Sequence, residues 1–311
     1  MKKILLPSEL PNNDPISCFL YGQPGVGKTT FALSSPNPIL LDFEHGLKRV
    51  SKQFQTASMQ VEKWEDVIEL LNSEDIAQFD SIVIDTFGAV IDSAFDYLCQ
   101  QNPKLKSANG TPTQQGWGSI KNVIMSFHRE LMKLNKNIIY IAHDKETGAE
   151  DNQRTRPDAA GSSYRDIIKQ TDIVGYMSMR GNKRTICFTP TDEFIAKNSL
   201  GLAGYMDIPT TQTNNNFFAK ILDDLKSKRA QENSERVKYD AILAQQDEQI
   251  SHVETMQDLL VLLEVQKDKD TAEIWGSKTI MWCKIKKLAK EKFGMVYDNA
   301  SKQFVEEANN A

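Results

Sequence analysis

Near its start the chain reads Gly22-Gln23-Pro24-Gly25-Val26-Gly27-Lys28-Thr29-Thr30, which matches G-x-x-x-x-G-K-[ST] at every fixed position. An apolar run, 16–21, precedes it and a helical stretch, 29–34, follows it, and that context gives the spacing its meaning. The glycines let the backbone curl so that consecutive N–H groups point into one concavity. A helix opening on that concavity adds its positive end. Such a cradle takes phosphate. Lys28 can reach β and γ phosphates, and the Thr29 hydroxyl can ligate Mg²⁺. The implied ligand is ATP with Mg²⁺ as cofactor; the bland alternative is a chance glycine-rich turn.

Two acids extend this chemistry. Asp85 ends the run 81–85, and a carboxylate at the end of a buried parallel strand sits at the crevice where ligands bind. It suits a second Mg²⁺ contact, usually through water, or it simply caps the next helix. Glu44 lies just beyond the run 38–42. By position alone it could orient an attacking water or be solvated in a loop.

The elements that must position these residues alternate. Runs 16–21, 38–42, 81–85 and 137–142 are short, rich in Ile, Leu and Val, and not alternating, as strands covered on both faces should be. Helical stretches at 29–34, 61–72, 89–101 and 119–134 lie between them. That order implies an α/β fold with a mostly parallel sheet. Segments 173–179 and 184–189, joined by Arg180-Gly181-Asn182-Lys183, read as a hairpin at one edge. Loops 102–118 and 145–163 are long and polar, which is usual for functional or disordered loops.

Composition around 223–236 shifts, and 226–236 has almost no apolar residue. We therefore expect a core domain over 1–214, a helical linker over 215–236 and a smaller helical C-terminal domain over 237–311. Helices are expected at 256–265, 271–293 and 300–307, with Trp275, Trp282, Ile285, Leu288, Ala289 and Phe293 as the apolar face of this tail.

The 311 residues carry 37 Lys+Arg against 42 Asp+Glu, with 40% hydrophobic and 25% charged residues. These values exclude a disordered, collagen-like or disulfide-framed chain. Cys18, Cys99, Cys187 and Cys283 are scattered without a CxxC pair and read as buried small side chains. There is no apolar run of about 18 residues for a membrane helix. Only three apolar residues separate Lys3 from Pro7, too few for a secretory signal, so a cytoplasmic protein is expected. The net charge of -5 gives no global sign of nucleic-acid binding, which must then come from local patches.

Asp42-Phe43-Glu44-His45 is similar to the segment of RecA-type recombinases that carries their catalytic glutamate, so the resemblance makes Glu44 the general base. Ile138–His143 resembles the strand of that family whose last residue senses the γ-phosphate. Recombinases usually have Gln there; His143, followed by Asp144-Lys145-Glu146-Thr147-Gly148, is closer to the bacterial RadA branch and to phage RecA-like ATPases of the Sak single-strand-annealing group. A neutral imidazole offers one N–H for such a role. Ile195-Ala196-Lys197-Asn198 resembles the segment that inserts a cation into a neighbouring subunit's site. RadA's Arg and Phe are replaced here by Ser199 and Leu200, so only Lys197 remains. The resemblance covers roughly 16–205 and implies a RecA-like core.

In RecA-like proteins two loops hold DNA, and by order they correspond to 102–118 and 145–163. The first carries Lys104, Lys106 and Trp117; the second carries Lys145, Arg154 and Arg156, with Arg165 just beyond. Cations with an aromatic suit single strands, although Glu146, Glu150, Asp151 and Asp158 offset the second set. Independently, Lys284, Lys286, Lys287 and Lys290 fall on one side of a helix at 100° per residue, opposite Trp282, Ile285 and Ala289. That face is either solvated or phosphate-binding.

The resemblance implies a phage-type RecA-like ATPase of recombination, stimulated by DNA, that binds single-stranded DNA and promotes annealing or strand pairing as a homo-oligomer, with a single-strand-binding protein as a further partner. It would work in a cytoplasm, that of the bacterial host if phage-encoded, and without a membrane. A nucleotide or nucleoside kinase and a non-catalytic ATP-dependent switch are the rival classes.

Overall fold

The computed structural model describes residues 14–148, 153–209, 216–267 and 273–306. Asp14–Lys226 and Ser227–Ala311 fall in separate compact units. In the first, the elements run β1 (Ser17–Gly22), α1 (Lys28–Ala32), β2 (Pro38–Asp42), β3 (Ala57–Gln60), α2 (Trp64–Asn72), β4 (Ser81–Asp85), α3 (Phe87–Gln101), α4 (Gln114–Lys133) and β5 (Asn137–Thr147). They continue with β6 (Arg154–Pro157), α5 (Ser163–Gln170), β7 (Ile173–Arg180), β8 (Lys183–Cys187), β9 (Lys197–Asn198), β10 (Tyr205–Asp207) and the first turns of α6 (Phe217–Ser251).

The sheet order is β10-β8-β7-β1-β5-β4-β2-β3, with β6 added to β5 and β9 to β7. Strands β7, β1, β5, β4, β2 and β3 are parallel; β8 and β10 are antiparallel at one edge. One strand, β5, separates the phosphate-loop strand β1 from the Asp85 strand β4. The chain thus forms the mostly parallel α/β core expected of a RecA-like protein, followed by a helical C-terminal region.

The strands lack polar alternation because both faces are covered. On β1, Phe19 and Tyr21 enter one core, with Val67 of α2, Phe87 of α3, Ile124 of α4 and Ile167 of α5. Cys18 and Leu20 enter the other, with Phe31 of α1 and Phe218, Leu222 and Leu225 of α6. Each fully buried side chain of this kind contributes about 1.5–3 kcal/mol, which fixes the C-terminal edge of the sheet as a rigid platform. Cys18 and Cys187 are buried as expected, while Cys283 is exposed.

In the second unit, the rest of α6, α7 (Met256–Lys267) and α8 (Ser277–Phe293) contribute to a small core that includes Val253, Leu259, Leu263, Met281, Ile285 and Ala289. A hairpin of β11 (Met295–Asp298) and β12 (Gln303–Glu306) follows. The helix expected at 300–307 is therefore a strand. Asp298 accepts from the backbone of Ala300 and Ser301, at 3.1 and 2.9 Å, and this Asx turn starts the reversal instead of a helix. Glu307 lies outside the described residues.

Other expectations also change. The linker over 215–236 is not a separate element: α6 runs unbroken from Phe217, its first turns complete the first core, and the unit boundary follows Lys226. Residue 215 lies outside the described residues. Loop 102–118 ends early, because Thr113 caps α4 by accepting from Gly116 N at 3.1 Å. Loop 145–163 contains the outer part of β5 paired with β6; Glu150 and Asp151 lie outside the described residues, as does the segment 1–13. Among the described residues, no helix is long and apolar enough to cross a membrane.

Candidate functional site

Strand β1 delivers the glycine-rich loop to the C-terminal edge of the sheet. Gly22 has no substitute there: a Cβ would stand 2.1 Å from the Met177 carbonyl oxygen of the neighbouring β7. Gly27 adopts φ 91° as the cap of α1. Helix α1 has only five residues, so a phosphate held here would depend on the loop's backbone N–H groups more than on a long helix. The Lys28 ammonium donates to the carbonyls of Gly22 and Gln23 at 2.7 and 2.9 Å, tied to the loop it must serve. Burial lowers its pKa, against the pull of Asp85, Asp144 and Glu44.

Register then assembles the acids. Gly22 pairs with His143 across β1 and β5, and Asp42 pairs with Asp85 across β2 and β4. The Thr29 hydroxyl donates to Asp85 Oδ2 at 2.6 Å. Burial raises the Asp85 pKa; the Thr29 hydrogen bond opposes this, and the charges of Glu44 and Asp42 add to it. Two hard oxygens, hydroxyl and carboxylate, thus converge beside the loop. They fit Mg²⁺, which keeps most of its shell as phosphate and water oxygens.

Glu44 is held from two sides. Thr86 donates its hydroxyl to Glu44 Oε1 at 2.5 Å, and His143 Nε2 lies 3.8 Å from Oε2. His143 Nδ1 is buried without a partner among the described residues. Asp42, fully buried, accepts from the backbone N–H groups of Gly46 and Leu47 at 2.8 and 2.9 Å. Those bonds close the turn that carries Glu44. Lys28, Thr29, Thr30, Glu44, Asp85, Thr86 and His143 line one cavity of about 330 Å³, together with Pro24, Gly25, Gly27, Arg49 and Arg184. A buried cation, a carboxylate beside a hydroxyl, and a second carboxylate with an imidazole form the equipment for phosphoryl transfer to water.

The structure does not bring every expected residue to this cavity. Lys197, on β9, donates to the carbonyls of Lys169 and Thr171 at 2.9 and 2.5 Å, at the end of α5. Lys104 and Lys106 are exposed around the short turn before α4. Trp117 is only partly open: it packs on the first core, and a Cβ at Gly161 would lie 2.9 Å from its ring. Arg154 is exposed on β6 and donates to the Thr191 carbonyl at 3.2 Å, while Arg156 is half-buried. On α8, Lys286, Lys287 and Lys290 are exposed, but Lys284 is half-buried and paired with Asp247 of α6 at 2.6 Å.

Sequence reading missed four residues. Asp42 and Thr86 directly adjoin or abut the chosen segments, and a polar residue at a strand end was the available signal. Arg49 and Arg184 carried none, since only the tertiary fold brings them to the loop.

A family model described as an AAA domain matches residues 14–200, so the chain belongs to that family, and its phosphate loop lies within the matched segment. No curated protein matches the sequence. Among solved structures, the flagellar accessory protein FlaH from Methanocaldococcus jannaschii is similar, at 10% identity and a TM-score of 0.34, over 56% of this chain and 76% of that chain.

Proposed function

We propose that this member of the AAA-domain family is a RecA-like ATPase of phage-type recombination, related to the Sak group, which binds single-stranded DNA and promotes annealing or strand pairing as an oligomer. The observation that carries this reading is the path of β5. Its buried part ends at His143, beside Glu44, and the same strand continues outward to Thr147, paired with β6. Residues directly opposed in an antiparallel pair share a face. Lys145 opposes Arg156 and Thr147 opposes Arg154, so three cations share one face. Asp144 and Glu146 belong to the other, where their charges reach Tyr176. On the cationic face Lys145 is already paired with Asp158 at 3.6 Å, which leaves Arg154 and Arg156 to carry its net charge. A cationic face suits a phosphate backbone, and it stands two residues along the strand from the group that would meet the γ-phosphate.

In this reading Lys28 exchanges the Gly22 and Gln23 carbonyls for β and γ oxygens. Thr29 and Asp85 would hold Mg²⁺, which when bound neutralises charge on those oxygens. Glu44, oriented by Thr86, takes the proton of the attacking water. His143 donates from Nε2 to a γ oxygen. Lys197 lies outside its own chain's cavity, as a cation delivered to a neighbour must, and would exchange its two carbonyls for the neighbour's γ-phosphate. Lys104, Lys106 and Trp117 would extend the DNA path, the lysines of α8 would make phosphate contacts of their own, and a single-strand-binding protein would present the strand.

The test is Glu44→Gln, which keeps size and one acceptor but cannot take the proton. It should bind ATP like the parent and hold a labelled oligonucleotide longer, as a trapped ATP complex. Equal off-rates with and without ATP would contradict the coupling.

A further inference from the structure

Two cations at the cavity, Arg49 and Arg184, have no part in the scheme above, and Arg49 already donates to the Glu44 carbonyl at 3.4 Å. Arg184, on β8, is half-buried, and a Cβ at Gly27 would lie 3.6 Å from its Cζ and Nη1. Its guanidinium therefore rests against the phosphate loop itself. Among the described residues, no hydrogen bond, ion pair or ring contact engages that side chain, whereas the nearby acids have partners: Asp85 with Thr29, and Glu44 with Thr86 and His143. The Arg184 fork of five N–H donors, half-exposed beside the loop, is open to an anion.

Its place along the cavity selects which anion. Glu44, Asp85 and His143 line only the larger cavity, at the end where a γ-phosphate would be attacked. Arg184 lines that cavity and also a smaller recess, shared with Gly27, Thr30, Phe54, Ile208 and Phe217. That recess, about 30 Å³, is too small for a base, but it places Arg184 at the end of the cavity away from Glu44, Asp85 and His143. The loop backbone between these two ends cradles the α and β phosphates. We infer that Arg184 clamps the α and β phosphates in cis. The planar fork matches two phosphate oxygens at once. This inference rests on the nucleotide-site reading. It separates Arg184 from a γ-phosphate sensor, because an α,β clamp grips ADP as firmly as ATP.

The experiment is calorimetric titration of the full chain with Mg²⁺-ADP and with a non-hydrolysable Mg²⁺-ATP analogue. Arg184→Ala should weaken both by a common factor of about ten or more, the range for removal of a charge-assisted hydrogen bond. Arg184→Lys should recover only part of that, since a point charge replaces a fork. Arg184→Gln, which keeps the aliphatic stem, should behave like Arg184→Ala, with thermal unfolding of the nucleotide-free protein unchanged. Unchanged ADP affinity in the Ala and Gln variants would overturn the clamp, and loss for the ATP analogue alone would make Arg184 a γ sensor instead. A parent protein that binds neither nucleotide would refute the nucleotide site itself, whereas binding by the parent that is lost in Lys28→Ala upholds that site whatever Arg184 does.

Discussion

Thr86 donates its hydroxyl to Glu44 across 2.5 Å and so joins the residue after the Asp85 strand to the proposed base. The same oxygen accepts from Ala89 N at 3.4 Å, at the start of α3. One hydroxyl thus links the base to the first turn of a helix packed on the sheet. Thr86→Val should lower kcat about tenfold, the factor for one hydrogen bond to a charged group, with KM for ATP little changed. Thr86→Ser should restore most of the rate. Rescue by Ser separates orientation of Glu44 from a general loss of packing; an equal rate in Thr86→Val would detach Thr86 from catalysis.

Asp85 carries a prediction about pH. Its carboxyl is raised above the ordinary 3.8 chiefly by burial, so the folded protein favours the protonated form more than the unfolded chain does. The stabilisation this gives is fully present below the ordinary value and is lost as pH rises through the raised one. At neutral pH the ionised Asp85 therefore costs nucleotide-free stability. Asp85→Asn should raise the apo melting temperature at pH 7 while abolishing Mg²⁺-dependent turnover. A lower melting temperature at pH 7 would show that the Thr29 hydrogen bond outweighs burial.

How much of this could be read in advance follows from range. The phosphate loop was legible because its chemistry is local: nine consecutive residues contain the glycines, the lysine and the hydroxyl. Strands β1, β2, β4 and β5 were legible because burial on both faces demands unbroken apolar runs. Strand β3 was not, since Ala57–Gln60 is a short edge strand with mostly exposed residues and no apolar run. Helix α4 began earlier than read because Gly116 and Gly118 disguise a turn that Thr113 caps. Arg184 was invisible for another reason. It is an ordinary hairpin residue until β8 folds beside β7, which pairs with β1.

Lys197 tests whether the site is composite. Lys28→Ala and Lys197→Ala proteins should each be inactive, and their mixture should regain part of the activity, because some interfaces pair an intact Lys28 with an intact Lys197. No regain in oligomers shown to be mixed would leave Lys197 as a support for the end of α5.

The two basic faces should differ. Gln at Lys145, Arg154 and Arg156 should flatten the salt dependence of DNA binding and also uncouple DNA from hydrolysis, since that hairpin extends from His143. Gln at Lys284, Lys286, Lys287 and Lys290 should flatten the salt slope alone, with Lys284 contributing least because Asp247 already neutralises it. Removing one phosphate-neutralising cation reduces the slope of log affinity against log salt by about 0.7 for single strands. An unaltered slope would assign that face to solvent.

The central claim joins a nucleotide site to a single strand through β5. The most direct measurement is steady-state phosphate release from ATP by the full chain, with and without single-stranded oligonucleotide, beside duplex DNA and Glu44→Gln. The account predicts release that single strands stimulate, that duplex DNA stimulates less, and that Glu44→Gln lowers at least about a hundredfold, within the range of general-base catalysis. Release indifferent to single-stranded DNA, or phosphate passed to a small acceptor in place of water, would contradict it.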